Sequence, residues 1–363
     1  MRKIFTIALL AILTLSFAGC SKTEEDAENK ATPDTKVTAI TPEATNKPQA
    51  TEDTNPGKAR SKLTNEWIDE EKAEARPYAI MLSNIKAAAP QSGISQASIL
   101  YECLVEGGIT RFMGLFEDFD SEKIGSVRSA RHYYVSLADE YDAIICHYGQ
   151  SKYTESKLTE LGVDNLSGLE SIGSTVFYRD ENIKSPHNAF ASYDGIMEGT
   201  KKLKYRTTYR DNLTSHYEFY EEDTAPDSDL TVNKVAIQFS KSYAPEFVYD
   251  EETKLYGRNQ FGEAHVDAAT GKQLTFKNLI IQFVKESTMD NVGRQDMELS
   301  DAEGSGYYIS DGKAVKITWK KNEKDKTMSY YTANGDKLTV NTGKTYIALF
   351  PDDKTKNITF YNK

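Results

Sequence analysis

The chain has 363 residues and a formal net charge of −11, from 44 basic and 55 acidic side chains. It contains no basic block, which argues against nucleic-acid binding, and an acidic surface argues against lying flat on anionic lipid. Its five histidines are scattered and its cysteines number three, so no metal site is assigned, and no cofactor either.

Met1–Cys20 reads as a secretion signal: Arg2 and Lys3 precede an apolar run, Ile4–Ala18, that is too short for a comfortable membrane span of about 20 residues. The junction Phe17-Ala18-Gly19-Cys20 resembles a bacterial lipobox, with Cys20 the acylated first residue of the mature protein; Phe17 departs from the usual aliphatic residue. The alternatives are an ordinary signal peptide cut near Gly19 or an uncleaved anchor. Acylation of Cys20 would place the protein on the extracytoplasmic face of the cell membrane. Residues 21–62 are expected to form a disordered tether, because Ser21–Arg60 holds four of the ten prolines, eight threonines and only Val37 and Ile40 as larger aliphatics.

The remainder, Leu63–Lys363, is long enough for one large domain or two lobes. The predicted division is an N-terminal α/β domain over 63–225 and a smaller β-rich one over 230–363, with an acidic linker in Glu221–Asp229. The fold class expected is α+β: a layered mixed α/β lobe followed by an antiparallel β-rich lobe. The 22 tyrosines against two tryptophans fit sugar or peptide surfaces, but strands are rich in tyrosine anyway.

In chain order, Lys62–Ala75 is expected to be a short helix ended by Arg76-Pro77. Pro77–Asn84 (PYAIMLSN) reads as a buried strand, and Ala87–Ser95 as a loop. Ala97–Glu106 reads as a strand that puts Glu102 and Glu106 on one face about 13 Å apart, too far for a glycosidase pair. A second strand, Ile109–Phe116, leads through a polar loop into a helix over Arg131–Asp142, where Tyr134, Leu137, Ala138 and Tyr141 share a face. Arg111, Arg128 and Arg131 fall in this stretch. Arginine at a helix N-terminus opposes the helix dipole and is tolerated better beside an anion, so the spacing suggests an anion pocket. The bland alternative is ion pairing with Glu102 or Glu106. Ala143–Tyr148 is a strand, Gly149–Gly162 a turn and amphipathic helix, Thr175–Arg179 a strand and Asp194–Lys204 a helix. The loop between the last two carries His187 and Asn188 as a candidate ligand-facing pair, although a lone histidine more often makes a structural hydrogen bond. Cys103 and Cys146 lie in apolar strands and read as unpaired thiols, with a disulfide as the alternative.

Several blocks resemble the YerB-like family of bacterial lipoproteins: PYAIMLSN, APQSGISQA, EGGITRFMGLF, KIGSVRSAR, the Glu140–Gly149 block outside Cys146, and the FYRD and SPHN pair. Downstream, YGRNQFGEAHVDAATGKQL, NVGRQDMEL and GSGYYISDGKAVKITWKK continue the likeness. The resemblance implies an envelope lipoprotein with an N-terminal α/β part and a smaller β-rich part, and carries no established activity. Its motif positions here are Glu102, Glu106, Arg111, Arg128, Arg131, His187 and Asn188; Cys103 and Cys146 fall outside the pattern.

From Leu230 onward short strands are predicted at Val232–Phe239, Phe247–Tyr249, Lys254–Arg258, Asn278–Lys285, Gly306–Ser310, Lys313–Trp319, Lys326–Tyr331 and Thr345–Phe350, all in an antiparallel arrangement. Arg258, His265, Asp267 and Asp290 are read as turn stabilisers. No metalloprotease, Cys-x-x-Cys, phosphate-loop, dinucleotide or nucleophile-elbow motif occurs. Three readings remain: a tethered module binding an anionic cell-wall or envelope component; a glycan or phosphodiester enzyme with Glu106 or His187 as general acid/base; and a scaffold in which the arginines are structural.

Overall fold

In the computed structural model, the described residues are 55–362 except 212, 214 and 323–326. Cys20, the signal segment and most of the tether lie outside them. The described residues all belong to one compact unit. The tether was expected to run through residue 62, but Lys58–Arg60 pairs antiparallel with Trp67–Asp69. The hairpin is closed by a Lys58–Asp69 ion pair of 2.7 Å and by Arg60 stacked 4.2 Å above Trp67. The helix expected over Lys62–Ala75 shrinks to Glu70–Ala73, because Ser61 Oγ accepts the Leu63 and Thr64 N–H groups and turns the chain first.

A ten-stranded mixed sheet organises the α+β fold. Its strands are β1 (Tyr78–Ser83), β2 (Ile99–Leu104), β3 (Thr110–Phe116), β4 (Ile144–His147), β5 (Asn165–Ser167), β6 (Asn278–Val284), β7 (Ala302–Ser310), β8 (Lys313–Lys321), β9 (Ser329–Thr332) and β10 (Thr345–Pro351). Their spatial order is β9-β8-β7-β6-β10-β2-β3-β1-β4-β5. Strands β1, β2, β3, β6 and β10 are buried at every position, as expected for near-continuous apolar runs covered on both faces.

The C-terminal segment joins the sheet of the N-terminal one. β10 pairs parallel with both β2 and β6, so the downstream strands, expected to be wholly antiparallel, contain this parallel exception. Alternation along β2 sets the layers. Tyr101 turns to one face and hydrogen-bonds Tyr141 at the end of helix α1 (His132–Glu140). Glu102 turns to the other face and meets a six-stranded sheet built from Lys234–Ile237, Glu246–Asp250, Leu255–Gln260, Ile358–Tyr361 and two short strands. That second sheet seats Phe247 and Phe276 against Tyr346 of β10, at 4.5 and 5.7 Å between ring centres. The helix α1 was expected to bury one face, yet Tyr133 through Glu140 are all buried. Helices α2 (Lys152–Leu161) and α3 (Tyr193–Leu203) are both capped by serine side chains, Ser151 and Ser192. Part of the expected Thr175–Arg179 strand is instead a helical turn, Gly173–Val176, and only Phe177–Arg179 is extended. Cys103 and Cys146 are free and fully buried.

Candidate functional site

β1 and β4 pair in parallel only over Tyr78–Ile80 and Ile144–Cys146. Beyond that point the two strands part and the segment Ser126–Ala130 enters between them. Ser83 N–H donates to Ser126 O, Arg128 N–H to Met81 O, Tyr148 N–H to Arg128 O and Ala130 N–H to Gly149 O. Gly149 has a positive φ of 107°, and a Cβ there would sit 2.5 Å from Ser129 Oγ. The close approach therefore requires glycine. A split at the carboxyl ends of parallel strands is where open α/β sheets commonly place ligands.

The three sequence-predicted arginines gather at this split, but their partners differ. Arg131 caps α1 through its backbone and grips Glu106 with Nε and Nη2, each 2.7 Å from one carboxylate oxygen. Burial pushes the Glu106 carboxyl up, but Arg131 outweighs it and holds the group below its usual value. Arg111, on the α1 face of β3, is only 5 % exposed. Its Nη1 donates to Ser129 O at 2.8 Å, and among the described residues it forms no ion pair. Burial first, then Arg131 and Arg128, push its guanidinium down to about 10. Arg128 is half-buried and donates from Nη1 to Pro186 O at 2.7 Å, again with no ion pair among the described residues. No side chain caps the N-terminus of α1, so its first-turn N–H groups lack a side-chain acceptor.

His187 lies beside Arg128, and its Nδ1 is buried without a hydrogen-bond partner. Burial and Arg128 together pull its imidazole below the usual value, leaving it neutral at pH 7. Asn188 closes the loop rather than facing the arginines: its backbone oxygen accepts from Asp180 N–H, and its Oδ1 accepts from Arg179 Nη1 at 2.7 Å. Arg179 lies over the Tyr148 ring at 4.8 Å and is a further guanidinium at this edge that the sequence analysis did not single out.

Glu102 does not belong to this group. It points to the opposite sheet face, where Arg258 Nη2 and Tyr346 OH each bond Oε2 at 2.7 Å while Asn84 and Thr110 bond Oε1. Glu102 and Glu106 were expected on one face of one strand; β2 ends at Leu104, so Glu106 sits in the turn beyond it. Arg258 and His265 are accordingly not turn stabilisers. His265 Nδ1 faces Arg258 and its Nε2 faces Gln91. Burial holds His265 well below its usual value, so Nδ1 accepts and Nε2 donates. Asp267 stabilises its own turn through Ala269 N–H, and also accepts the Gly93 and Ser95 N–H groups from the N-terminal segment. Asp290 does hold a turn, accepting from Val292 and Arg294.

Comparison with known proteins places these positions in a family. Residues 63–206 match the N-terminal domain, and 235–347 the C-terminal domain, of "Protein of unknown function (DUF3048)". This chain belongs to the DUF3048 family. A Bacillus subtilis protein named "Putative lipoprotein YerB" is 31% identical over 298 residues, covering 81% of this chain and 87% of that protein. The crystal structure of YerB from Bacillus subtilis superposes with a TM-score of 0.74 at 28% identity, over 84% of this chain and 99% of that one. The family's function is unknown, and the shared α+β architecture extends over most of both chains. Among the described residues, no helix is long and apolar enough to cross a membrane.

Proposed function

We propose that this chain is a membrane-anchored, extracytoplasmic binding protein that holds an anionic cell-envelope component at Arg111 and Arg128. The observation that carries the reading is Arg111: a guanidinium that is 95 % buried, flanked by two like charges and lacking a carboxylate partner among the described residues. Burying an unpaired charge costs several kcal/mol, and sites that tolerate this are commonly completed by a ligand. Glu106 feels Arg111, but both of its oxygens are taken by Arg131. The N-terminus of α1, which begins after Arg131 and has no side-chain cap, lies in the same stretch of chain, and helix N-termini favour a phosphate or carboxylate. Acylation of Cys20 would tether the site outside the cell membrane, consistent with the lipoprotein description of its Bacillus subtilis relative.

A second reading, an enzyme on envelope glycans or phosphodiesters, has one observation in its favour. His187 is neutral beside Arg128 with a free buried Nδ1, a suitable base near a bound anion. Glu106 suits an acid role poorly, because Arg131 keeps it ionised.

A thermal-shift titration of the full chain with inorganic phosphate and with anionic wall fragments tests the proposal. Stabilisation follows RT ln(1 + [L]/Kd), about 2.7 kcal/mol at a hundredfold excess, which is several degrees for a chain of this size. The expected result is a rise in wild type that is lost in Arg128→Ala. A wild type that no anion stabilises would remove the binding reading and leave the arginines as structural.

A further inference from the structure

A cavity of about 360 Å³ lies at the C-terminal end of helix α1, away from the arginine corner, with Leu213 and Ser215 in its lining. Glu140, Tyr141, His216, Tyr217 and Phe219 are among its lining residues. Glu140 is wholly buried and its carboxylate receives three donors: Lys321 Nζ at 2.7 Å, Met328 N–H at 3.0 Å and His216 Nε2 at 2.9 Å. Burial pushes this carboxyl up, but Lys321 and His216 outweigh it, so the group is an anion. An ionised carboxylate can only accept, so Nε2 of His216 donates to it and Nδ1 is the ring's remaining hydrogen-bonding atom. The His216 ring is fixed a second time by stacking on Tyr141, 4.2 Å between centres and 12° between planes. Its Nδ1 has no hydrogen-bond partner among the described residues, while the residue is 4 % exposed and lines the cavity.

The rest of the lining limits what can enter. Phe219 and Tyr217 meet edge to face and form an aromatic wall. The cations nearby are engaged: Lys62 donates to Ala73 O and to Glu74, and Arg60 donates to Asn65 O and stacks on Trp67. A charged ligand would find no spare counter-charge here, in contrast to the arginine corner. A pocket with aromatic walls and one fixed ring nitrogen free to hydrogen-bond matches a neutral ring bearing hydroxyl groups, which both donate and accept. We propose that this cavity binds a neutral, hydroxyl-bearing ring of the chemical class of a sugar unit, one hydroxyl of which hydrogen-bonds with His216 Nδ1 while Glu140 and Tyr141 hold the imidazole in place. The proposal does not depend on the anion reading.

Saturation-transfer NMR on the full chain with glucose and with N-acetylglucosamine tests it, alongside ¹⁵N detection of the His216 ring. The expected result is transfer to the ring protons of at least one sugar, a shift of His216 Nδ1 on addition, and affinity at least tenfold lower in His216→Phe and in Phe219→Ala. Phosphate stabilisation should be untouched in Phe219→Ala. The wall substitution and the ¹⁵N signal decide the matter if His216→Phe fails to fold. Absence of transfer to both sugars, or transfer unaltered in Phe219→Ala with an unmoved His216 signal, would overturn the assignment.

Discussion

Glu102 and Arg258 stand 156 residues apart in the chain and form an ion pair of 2.7 Å whose side chains are both wholly buried. This pair ties the central sheet to the second sheet, with Tyr346, Asn84 and Thr110 completing the carboxylate's bonds. Removing one partner leaves the other charge buried and unmatched, at a cost of about 3–5 kcal/mol. Glu102→Gln and Arg258→Met should each lower the denaturation midpoint accordingly. The double substitution should cost less than the sum of the two, as a chemical denaturation cycle would read. Single variants within about 0.5 kcal/mol of wild type would show that the pair is not needed.

Arg111→Met is expected to behave in the opposite way. The replacement keeps most of the apolar stem and removes a guanidinium that has one backbone acceptor and two like-charged neighbours. Without ligand, its melting temperature should equal or exceed that of wild type, while phosphate stabilisation disappears. Stability given up for a binding site is the usual trade-off. A melting temperature many degrees lower would make Arg111 a structural residue.

Glu117 provides a pH signature. Burial raises its carboxyl to about 7, against the opposing pull of Ser61, Lys62 and Tyr209. The folded value exceeds the unfolded one, so the group contributes stability that is full below about pH 4.5 and is lost as pH rises through 7. Each unit of difference is worth about 1.4 kcal/mol at most. Relative to Glu117→Gln, wild type should therefore weaken between pH 4.5 and 7 by up to a few kcal/mol. Parallel stability profiles for the two proteins would refute the assignment.

Cys103 and Cys146 should resist modification in the native protein. Both are wholly buried, and burial raises both thiols well above their usual value, so thiolate is scarce. Peptide mapping after a maleimide pulse should label them only in denaturant; rapid native labelling would mean the strands open readily.

The arginine corner was legible in the sequence because its parts are local. Arg111, Arg128 and Arg131 fall within 21 consecutive positions, and the helix start at His132 follows directly from them. The individual strands were legible too, since apolar runs such as NLIIQFV and TYIALFP announce themselves. What pairs with what was not. β10 inserting in parallel beside β2 joins residues nearly 250 positions apart, and no periodicity encodes strand order. The same limit hid Arg258 as the partner of Glu102 and His216 as the partner of Glu140. Alternation along one strand put Glu102 and Glu106 on the same face, but could not foretell that β2 would end before Glu106. Gly107 and Gly108, both with positive φ, form the turn that ends it.

Isothermal titration calorimetry of inorganic phosphate into the full chain tests the central claim most directly, with wild type, Arg111→Met and Arg128→Ala compared in the same low-salt buffer. Saturable binding in wild type, at least tenfold weaker in both variants, is the result expected of an unpaired guanidinium corner. Binding of equal strength in all three proteins would contradict it by placing the anion elsewhere, and no saturable heat in wild type would contradict it outright.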